Sequence, residues 1–213
     1  NNIKRWSSAP ELKGSLKFGR YLRSKDILPC IAHSDATYKE VYDAFENGFT
    51  HITHFYSAMS GVTRVGCFRY AGVVESGYLI DDMTVEIIAD GVHLPEPLLK
   101  LVCKIKGAER TALITDAIRA TGTTAKETIL GDLENGMKAI VEDDVAKLPD
   151  RTSFAGSVAT ADRLVRTMIK LADLPLSEAI QMITATPADI MGVGDKKGSL
   201  AHGKDADVVI FDD

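Results

Sequence analysis

The feature that most limits the possible folds of this chain is the alternation of helical patterns with short runs rich in apolar and β-branched residues. The runs occupy residues 27–32, 49–53, 83–89 and 111–115. After the first run, Tyr38, Val41, Tyr42 and Phe45 recur at helical spacing, with Thr37 as a candidate N-cap and Gly48 as the end. Strands that alternate with helices predict an α/β fold with a parallel sheet.

Each predicted strand ends in a side chain that can bind a metal or transfer a proton. These side chains are His33, His54, His93 and Asp116. In a (β/α)8 barrel, residues at the C-terminal ends of different strands meet at one mouth. No GxGxxG or GxxxxGK[ST] segment follows any strand, which disfavours an open nucleotide-binding sheet. The pattern favours a TIM-type (β/α)8 barrel over an open sheet.

The remaining segments complete this prediction. Pro95 and Pro97 open a helix, and the stretches 127–130 and 137–141 predict an inserted β-hairpin around an Asn-Gly turn. Helical spacing resumes at Val158, and two shorter helices are expected with caps at Ser177 and at Thr186-Pro187. Residues 207–211 predict a strand of a separate sheet. We therefore divide the chain into a partial barrel, 1–200, and the start of a return to a small β-sandwich domain, 201–213.

Composition narrows the class of partner. The 213 residues carry a net charge of −5 without clusters of Lys or Arg, which argues against nucleic acid and anionic membranes and favours a small molecule. No apolar run reaches the ~18 residues of a membrane span, and the first residues do not have the pattern of a signal peptide. The cysteines Cys30, Cys67 and Cys103 lack metal or disulfide spacing, which indicates a cytoplasmic protein.

Histidines at strand ends suit a catalytic Zn2+ or Fe2+ site, because neutral imidazoles bind the ion while leaving an open position where water becomes more acidic. A single histidine at such a position is about as often a hydrogen-bonded structural residue as a ligand. Four metal-binding or proton-transferring residues at successive strand ends favour the metal site, with Asp116 as a proton shuttle.

Six segments in a fixed order resemble the motifs of N-acetylglucosamine-6-phosphate deacetylases of the amidohydrolase superfamily. They are His33-Ser34-Asp35-Ala36-Thr37, Thr53-His54-Phe55-Tyr56-Ser57-Ala58-Met59, Asp90-Gly91-Val92-His93, Leu113-Ile114-Thr115-Asp116-Ala117, Phe154-Ala155-Gly156-Ser157 and the stretch 198–212. Ala9-Pro10-Glu11 also resembles a family segment. The resemblance covers nearly the whole chain and implies the C-terminal part of the TIM-type (β/α)8 barrel of a metal-dependent hydrolase. The activity that it implies is hydrolysis of N-acetylglucosamine 6-phosphate to glucosamine 6-phosphate and acetate in amino-sugar catabolism.

The resemblance also implies roles for individual residues. His33 and His54 are expected to bind one or two divalent ions, and Asp116 to activate the attacking water and then protonate the leaving amine. His93 corresponds to a histidine that contacts the substrate. Phe154, Ala155 and Gly156 correspond to a loop that lines the sugar-binding mouth.

The loop after His54 resembles the family's phosphate-binding loop. Backbone amides of Ser57 and Ala58 are expected to meet the phosphate, and Arg64, with Arg69 as its rival, to supply the charge. Many members have Asn where this chain has Ser57. In the family this arginine reaches the neighbouring subunit's site, which implies a homodimer.

A closed barrel needs about 250 residues. The family's metal-binding glutamate and a carbonyl-polarising histidine belong to a segment that precedes these motifs. We therefore expect these 213 residues alone to lack activity.

Two alternative functions remain. One is another amidohydrolase, such as a cyclic amidase or deaminase, and the other is an inactive sugar-phosphate-binding fragment.

Overall fold

A computed structural model describes residues 2–211. Residue 1 of the predicted segment 1–200 and residues 212 and 213 of the predicted segment 201–213 lie outside the described part. The strands are β1 (Arg5–Ser8), β2 (Leu28–Ile31), β3 (His51–Ile52), β4 (Thr63–Val65), β5 (Phe68–Tyr70), β6 (Thr84–Ile87), β7 (Thr111–Leu113), β8 (Glu127–Leu130), β9 (Met137–Glu142) and β10 (Val145–Lys147). The helices are α1 (Ser15–Arg23), α2 (Tyr38–Glu46), α3 (Val73–Leu79), α4 (Glu96–Lys106), α5 (Ala161–Ala172), α6 (Leu176–Ile183) and α7 (Ala185–Ile190).

The main sheet is parallel and has the strand order β1-β2-β3-β6-β7. A helix lies between each pair of neighbouring strands, and α5 and α6 follow the last one. The predicted α/β fold with a parallel sheet is confirmed. Because parallel strands all end at the same edge of the sheet, the segments that follow β2, β3, β6 and β7 are neighbours in space.

Helix α2 illustrates how the local sequence sets the elements. The backbone amide and the hydroxyl of Thr37 both donate to the Glu40 carboxylate, which closes a capping box. Val41 and Ala44 are fully buried against the sheet. The chain leaves the helix through Gly48, whose φ of +99° is accessible to glycine at little cost. Both predicted ends of this helix are therefore confirmed.

The two faces of the sheet differ in chemistry. Val85 and Ile87 of β6 belong to the apolar core beneath the helices. Glu86, which lies between them, points to the opposite face because side chains alternate along a strand. There it accepts two hydrogen bonds from Arg5, at 2.6 and 2.8 Å, and lies 3.2 Å from the Nε2 atom of His51. Arg5 also donates to the Thr53 hydroxyl at 2.8 Å.

The cluster of Arg5, His51 and Glu86 contains a buried carboxylate. Glu86 is only 3% exposed. Burial raises the pKa of its carboxyl, but the hydrogen bonds and charges of His51 and Arg5 outweigh burial and lower that pKa to about 2. The carboxylate is therefore ionised at neutral pH and ties β1, β3 and β6 together.

A separate three-stranded antiparallel sheet lies between β7 and α5, with the order β10-β9-β8. The predicted hairpin is confirmed, with Leu130 opposite Met137 at its closed end. The third strand, β10, was not predicted. The chain enters and leaves this insertion at one place, because the Ser157 amide donates to the Asp116 carbonyl and the Ile118 amide to the Ser157 carbonyl, both at 2.9 Å.

Two predicted helix caps were wrong. The N-cap of α6 is Pro175 rather than Ser177, and that of α7 is Thr184 rather than Thr186. The hydroxyl of Thr186 instead donates to the Ala108 carbonyl at 2.7 Å, so it joins α7 to the segment before β7.

The predicted strand at 207–211 is not formed. These residues are irregular and exposed, with 92% of Ile210 accessible to solvent. A strand requires a partner for its backbone groups, and within residues 2–211 none pairs with this segment. The return to a small β domain stays a prediction. None of the described helices is long and apolar enough to cross a membrane.

Candidate metal and substrate site

Three of the predicted site residues directly follow strands and share an unusual backbone conformation. His33, His54 and Asp116 have φ angles of +49°, +32° and +46°. Residues other than glycine adopt this left-handed region infrequently, although aspartate and histidine do so more often than most; the conformation costs about 1 kcal/mol. The three strands therefore end in sharp turns at the residues that the sequence predicted to be functional.

The imidazoles of His33 and His54 point at each other. Their Nε2 atoms lie 3.0 Å apart, and the ring planes are nearly perpendicular. Two nitrogens bound to one tetrahedral Zn2+ would be about 3.4 Å apart, given Zn–N bonds of about 2.0–2.1 Å. The observed separation is about 0.4 Å shorter and lies within hydrogen-bond range, so the two nitrogens converge on one point as ligands of one ion would. Among residues 2–211, no group of three His, Cys, Asp or Glu side chains has the arrangement of a metal site. The pair therefore fits part of a ligand set.

The protonation state of His54 suits a ligand. The residue is 7% exposed, and its Nδ1 atom is buried without a hydrogen-bond partner. Burial lowers the pKa of His54, and the His33 ring acts in the same direction, whereas the carboxylates of Asp116 and Glu86 oppose the shift. A neutral imidazole retains the lone pair that a metal requires.

The loops that follow His33 and His54 are joined by hydrogen bonds. The Ser34 amide donates to the Ala58 carbonyl at 3.0 Å, and the Ser60 amide to the Ser34 carbonyl at 2.9 Å. Glu11, which lies beyond β1, accepts from the Ser34 hydroxyl at 2.7 Å and from the Asp35 amide at 2.9 Å. Sequence reasoning noted Ala9-Pro10-Glu11 as a motif but assigned Glu11 no role. The position of Glu11 just after a strand-like segment is the sequence feature that could have indicated a role at this edge of the sheet.

Asp116 is exposed, and Gly156 lies against it. A β-carbon at position 156 would be 2.6 Å from Cγ2 of Ile118, 3.1 Å from the Asp116 carbonyl and 3.7 Å from its carboxylate. The φ angle of Gly156 is +71°, so both space and backbone conformation favour glycine. Ala155 beside it is buried. The predicted loop 154–156 is therefore next to the predicted proton shuttle.

His93 contacts Phe154, as expected for two residues of one substrate mouth. Their ring centroids are 4.4 Å apart with an interplanar angle of 44°. The other side of the His93 ring is held by Asp90, whose Oδ2 atom is 2.7 Å from Nδ1. Sequence reasoning gave Asp90 no role.

The loop after His54 offers fewer donors than expected. The Ser57 amide donates to the His54 carbonyl at 2.9 Å, so it is already used in a turn. The Ser57 hydroxyl and the amide of exposed Ala58, which has a φ of +50°, are the remaining candidates for a phosphate. The binding of phosphate by the Ser57 and Ala58 backbone amides stays a prediction, and the structure adds the Ser57 hydroxyl as a further candidate donor.

Arg64 and Arg69 lie in the hairpin formed by β4 and β5, which sequence reasoning did not predict. Both side chains are exposed, and the Nε atom of Arg64 donates to the Gly66 carbonyl at 3.0 Å. The same hairpin exposes four large apolar side chains: Val62, Val65, Phe68 and Tyr70. Its exposure is compatible with a contact to another molecule.

The arrangement brings two potential metal ligands, a carboxylate and an aromatic-histidine pair to one edge of the sheet. Imidazole pairs that hold a divalent ion next to a free carboxylate are suited to activating water for hydrolysis. Acyl transfer to water therefore fits the chemistry of this edge better than nucleotide binding does.

Comparison with known proteins agrees with this assignment. The model of the Amidohydrolase family matches residues 28–213. The N-acetylglucosamine-6-phosphate deacetylase of Lysinibacillus sphaericus is 34% identical over 99% of this chain and 52% of its own length. The N-acetylgalactosamine-6-phosphate deacetylase of Escherichia coli O157:H7 is 33% identical over 96% of this chain and 52% of its own. The chain spans about half the length of these curated relatives.

Solved structures give the same result. The N-acetylglucosamine-6-phosphate deacetylase from Thermotoga maritima superposes with a TM-score of 0.85 and 31% identity, covering 96% of this chain and 53% of that one. A mutant of the Mycobacterium smegmatis deacetylase in complex with N-acetyl-D-glucosamine-6-phosphate also has a TM-score of 0.85, with 29% identity over 96% of this chain and 52% of that one.

Proposed function

Because this chain belongs to the amidohydrolase family, we propose that it forms part of an enzyme that hydrolyses the acetamide of N-acetylglucosamine 6-phosphate to glucosamine 6-phosphate and acetate. The observation that carries the proposal is the convergence of the His33 and His54 Nε2 atoms, 3.0 Å apart, at neighbouring strand ends. The names of the similar proteins support the choice of substrate.

The proposed fold is the C-terminal part of a (β/α)8 barrel. The five parallel strands would be consecutive barrel strands, and the polar face with Arg5, Glu86 and His51 would line the interior. We divide the chain as predicted, with residues 1–200 in the barrel and 201–213 at the start of a small β domain. The remaining metal ligand would come from outside the chain, since the described residues offer two nitrogens and no third partner.

In the proposed mechanism His33 and His54 would hold a divalent metal, Zn2+ or Fe2+. Such a metal supplies a site where water is acidified toward neutral pH. A carboxylate oxygen of Asp116 accepts the proton of the attacking water and returns it to the departing amine. Gly156, by leaving space beside the Asp116 carbonyl, keeps that carboxylate in position.

The substrate would be bound by the surrounding loops. The Ala58 amide, the Ser57 hydroxyl and Arg64 would bind the phosphate, with Arg69 beside Arg64. His93, Phe154 and Ala155 would contact the sugar.

We also propose that the protein is a cytoplasmic homodimer. Its three free thiols suit a reducing compartment, and the exposed apolar side chains of the β4–β5 hairpin suit a contact between subunits.

A second candidate substrate is N-acetylgalactosamine 6-phosphate, which the name of the Escherichia coli relative favours. The two sugars differ only in the orientation of one hydroxyl, so both would present the same acetamide and phosphate to this site. A cyclic amidase or deaminase, and a sugar-phosphate-binding protein without activity, are the other outcomes that the test must separate.

The test uses the complete polypeptide that contains this chain, stripped of metal and reloaded with Zn2+ or Fe2+. Acetate release is measured from both 6-phosphorylated sugars and from unphosphorylated N-acetylglucosamine. Replacing Asp116 with Asn should lower kcat by roughly 10²- to 10⁴-fold, because an amide does not accept the proton, while metal content stays unchanged.

The outcomes separate the candidates. Metal-dependent acetate release from a 6-phosphorylated sugar supports the proposal, and the ratio between the two sugars identifies the substrate. Binding of N-acetylglucosamine 6-phosphate without turnover would favour a binding protein. Hydrolysis confined to cyclic amides or amino-heterocycles would replace the proposed activity. Near-full activity of the Asp116→Asn variant would remove Asp116 from its role.

A further inference from the structure

Asp90 follows β6 and is fully enclosed, with none of its side chain exposed. Its two carboxylate oxygens have different partners. Oδ1 accepts from the amides of Val92 and His93, at 2.9 and 2.8 Å, and Oδ2 is 2.7 Å from the Nδ1 atom of His93. Three contacts therefore fix this carboxylate, and all of them belong to the short segment that ends in His93.

The ionisation state of Asp90 follows from these contacts. Burial alone would raise the pKa of its carboxyl, but the hydrogen bonds and charge of His93 and the amide of Val92 outweigh burial and hold that pKa below its usual range. An ionised carboxylate only accepts hydrogen bonds. The proton of a neutral His93 ring is therefore on Nδ1, and Nε2 is the nitrogen left for another molecule.

Arg163 of α5 connects this segment to the three-stranded sheet. Its Nη2 atom donates to the Asp90 carbonyl at 2.9 Å, and its Nη1 atom donates to the Asp144 carbonyl, between β9 and β10, at 3.0 Å. The sheet in turn holds Phe154, which pairs with Lys147 of β10. One guanidinium thus bridges the two backbone segments whose side chains, His93 and Phe154, are in contact as tilted rings.

We propose that Asp90 is a positioning residue, which holds His93 with its proton on Nδ1 and its Nε2 atom available to the bound sugar phosphate. Arg163 sets the distance between this histidine and Phe154. The inference rests on the proposed function for the identity of the ligand, whereas the tautomer itself depends only on the contact between Asp90 and His93.

The first experiment measures the tautomer in the complete polypeptide, labelled with ¹⁵N in histidine, by NMR at a pH where the His93 ring is neutral. The wild-type protein should show the proton on Nδ1. Replacing Asp90 with Asn places an amide donor opposite Nδ1, so the proton should move to Nε2. A wild-type ring protonated on Nε2, or a variant with an unchanged tautomer, overturns the proposal. This readout remains decisive if the protein does not deacetylate N-acetylglucosamine 6-phosphate.

The second experiment tests whether Asp90 acts through His93. In a wild-type background, Asp90→Asn should lower kcat/KM for N-acetylglucosamine 6-phosphate by about 10- to 100-fold, as expected for a misdirected hydrogen bond to a charged group. In a His93→Asn background, the same replacement should have no further effect. An equal loss in both backgrounds would indicate a structural role for Asp90 and overturn the proposal.

A matched variant controls for the chemistry of the replacement. Asp82→Asn makes the same change at an exposed position before β6, where the carboxylate lies 3.8 Å from Arg110. Its kcat/KM and tautomer should equal those of the wild type. Thermal unfolding of each variant reports whether the altered proteins are folded at the assay temperature.

Discussion

Arg64 and Arg69 are direct cross-strand partners in the hairpin of β4 and β5. Opposed residues of an antiparallel pair project from the same face, with β-carbons about 5 Å apart. Two guanidinium groups on one face of an exposed ribbon repel each other unless an anion lies between them. From this pairing we propose that the two arginines bind the phosphate together, rather than as rivals.

Replacing Arg64 with Ala should raise KM for the 6-phosphorylated sugar by about 10- to 100-fold, because a charged hydrogen bond to phosphate contributes roughly 1.5–3 kcal/mol. The unphosphorylated sugar should respond far less. Arg69→Ala should act in the same direction, and the double variant should lose most of the preference for phosphate. Steady-state kinetics on both sugars measures this preference.

Arg166→Ala provides the control, since Arg166 is an exposed arginine of α5 whose Nε atom lies 3.7 Å from Asp162. It should leave the preference unchanged. If Arg64→Ala affects both sugars equally, Arg64 is not a phosphate ligand; if Arg69→Ala alone changes the preference, the role belongs to Arg69.

Replacing Gly156 with Ala should lower kcat at least about 10-fold, because the added β-carbon would meet Cγ2 of Ile118 at 2.6 Å and shift the backbone of Asp116. Gly122→Ala is a matched control. Gly122 also has a positive φ, +74°, but a β-carbon there has no neighbour within 4 Å. Its replacement should reduce stability by about 1 kcal/mol through backbone strain and leave kcat unchanged. Equal kinetic effects of the two variants would disprove the steric argument.

Replacing Glu86 with Gln should lower the free energy of unfolding at pH 7 by about 3 kcal/mol, since the folded-state pKa is about 2 and the ordinary value is 4.5. A depressed pKa stabilises the folded state fully above the unfolded value and loses this effect as the pH falls. The difference between wild type and variant should therefore shrink between pH 4.5 and pH 2.

Urea unfolding of the complete polypeptide at several pH values measures that difference. Glu127→Gln serves as the control, because Glu127 pairs with Lys138 at an exposed site; it should change stability by less than about 1 kcal/mol. A difference for Glu86→Gln that stays constant from pH 7 to pH 2 would contradict the assignment of the low pKa.

The three cysteines should differ sharply in reactivity. Burial raises the pKa of Cys30 to about 12 and that of Cys103 to about 11, so neither forms a thiolate readily. Cys67, at the tip of the β4–β5 hairpin, is exposed. Treatment of the native protein with a thiol reagent, followed by peptide mass spectrometry, should find Cys67 modified first. Native-state modification of Cys30 at a similar rate would contradict its burial.

Elements specified by local sequence were predicted well. The capping pair Thr37 and Glu40, the apolar stripe and Gly48 mark α2 with signals that are all present in the local sequence. The order of strands that end in His33, His54 and Asp116 was likewise readable, because each apolar run stops at its polar residue. The positive φ angles that turn these side chains toward one another were not readable, since they depend on the loops that pack beyond each strand.

Contacts between residues that are distant in the sequence could not be predicted. Arg163 and Asp90 are 73 positions apart, and no periodicity links them. The hairpin of β4 and β5 did carry a signal, because Gly66 separates two short β-prone runs, but the segment was interpreted only as a phosphate loop.

Residues 207–211 show the opposite failure. Val208, Val209 and Ile210 have strong β propensity, yet they form no strand. The propensity of such residues describes how well they fit a sheet, and becomes visible only when a neighbouring strand is present.

The closed ends of the insertion between Asp116 and Ser157 have a consequence for how proteins with this fold diversify. Because backbone hydrogen bonds join the two ends directly, the intervening chain is free to grow, shrink or be exchanged without moving the strands that anchor it, and loop closure adds only slightly to the cost as length increases. An insertion from a homologue, grafted here, would place a different residue at position 154 next to an unchanged group of strand-end residues. Selectivity for different sugars could then evolve, or be engineered, by exchanging this insertion alone.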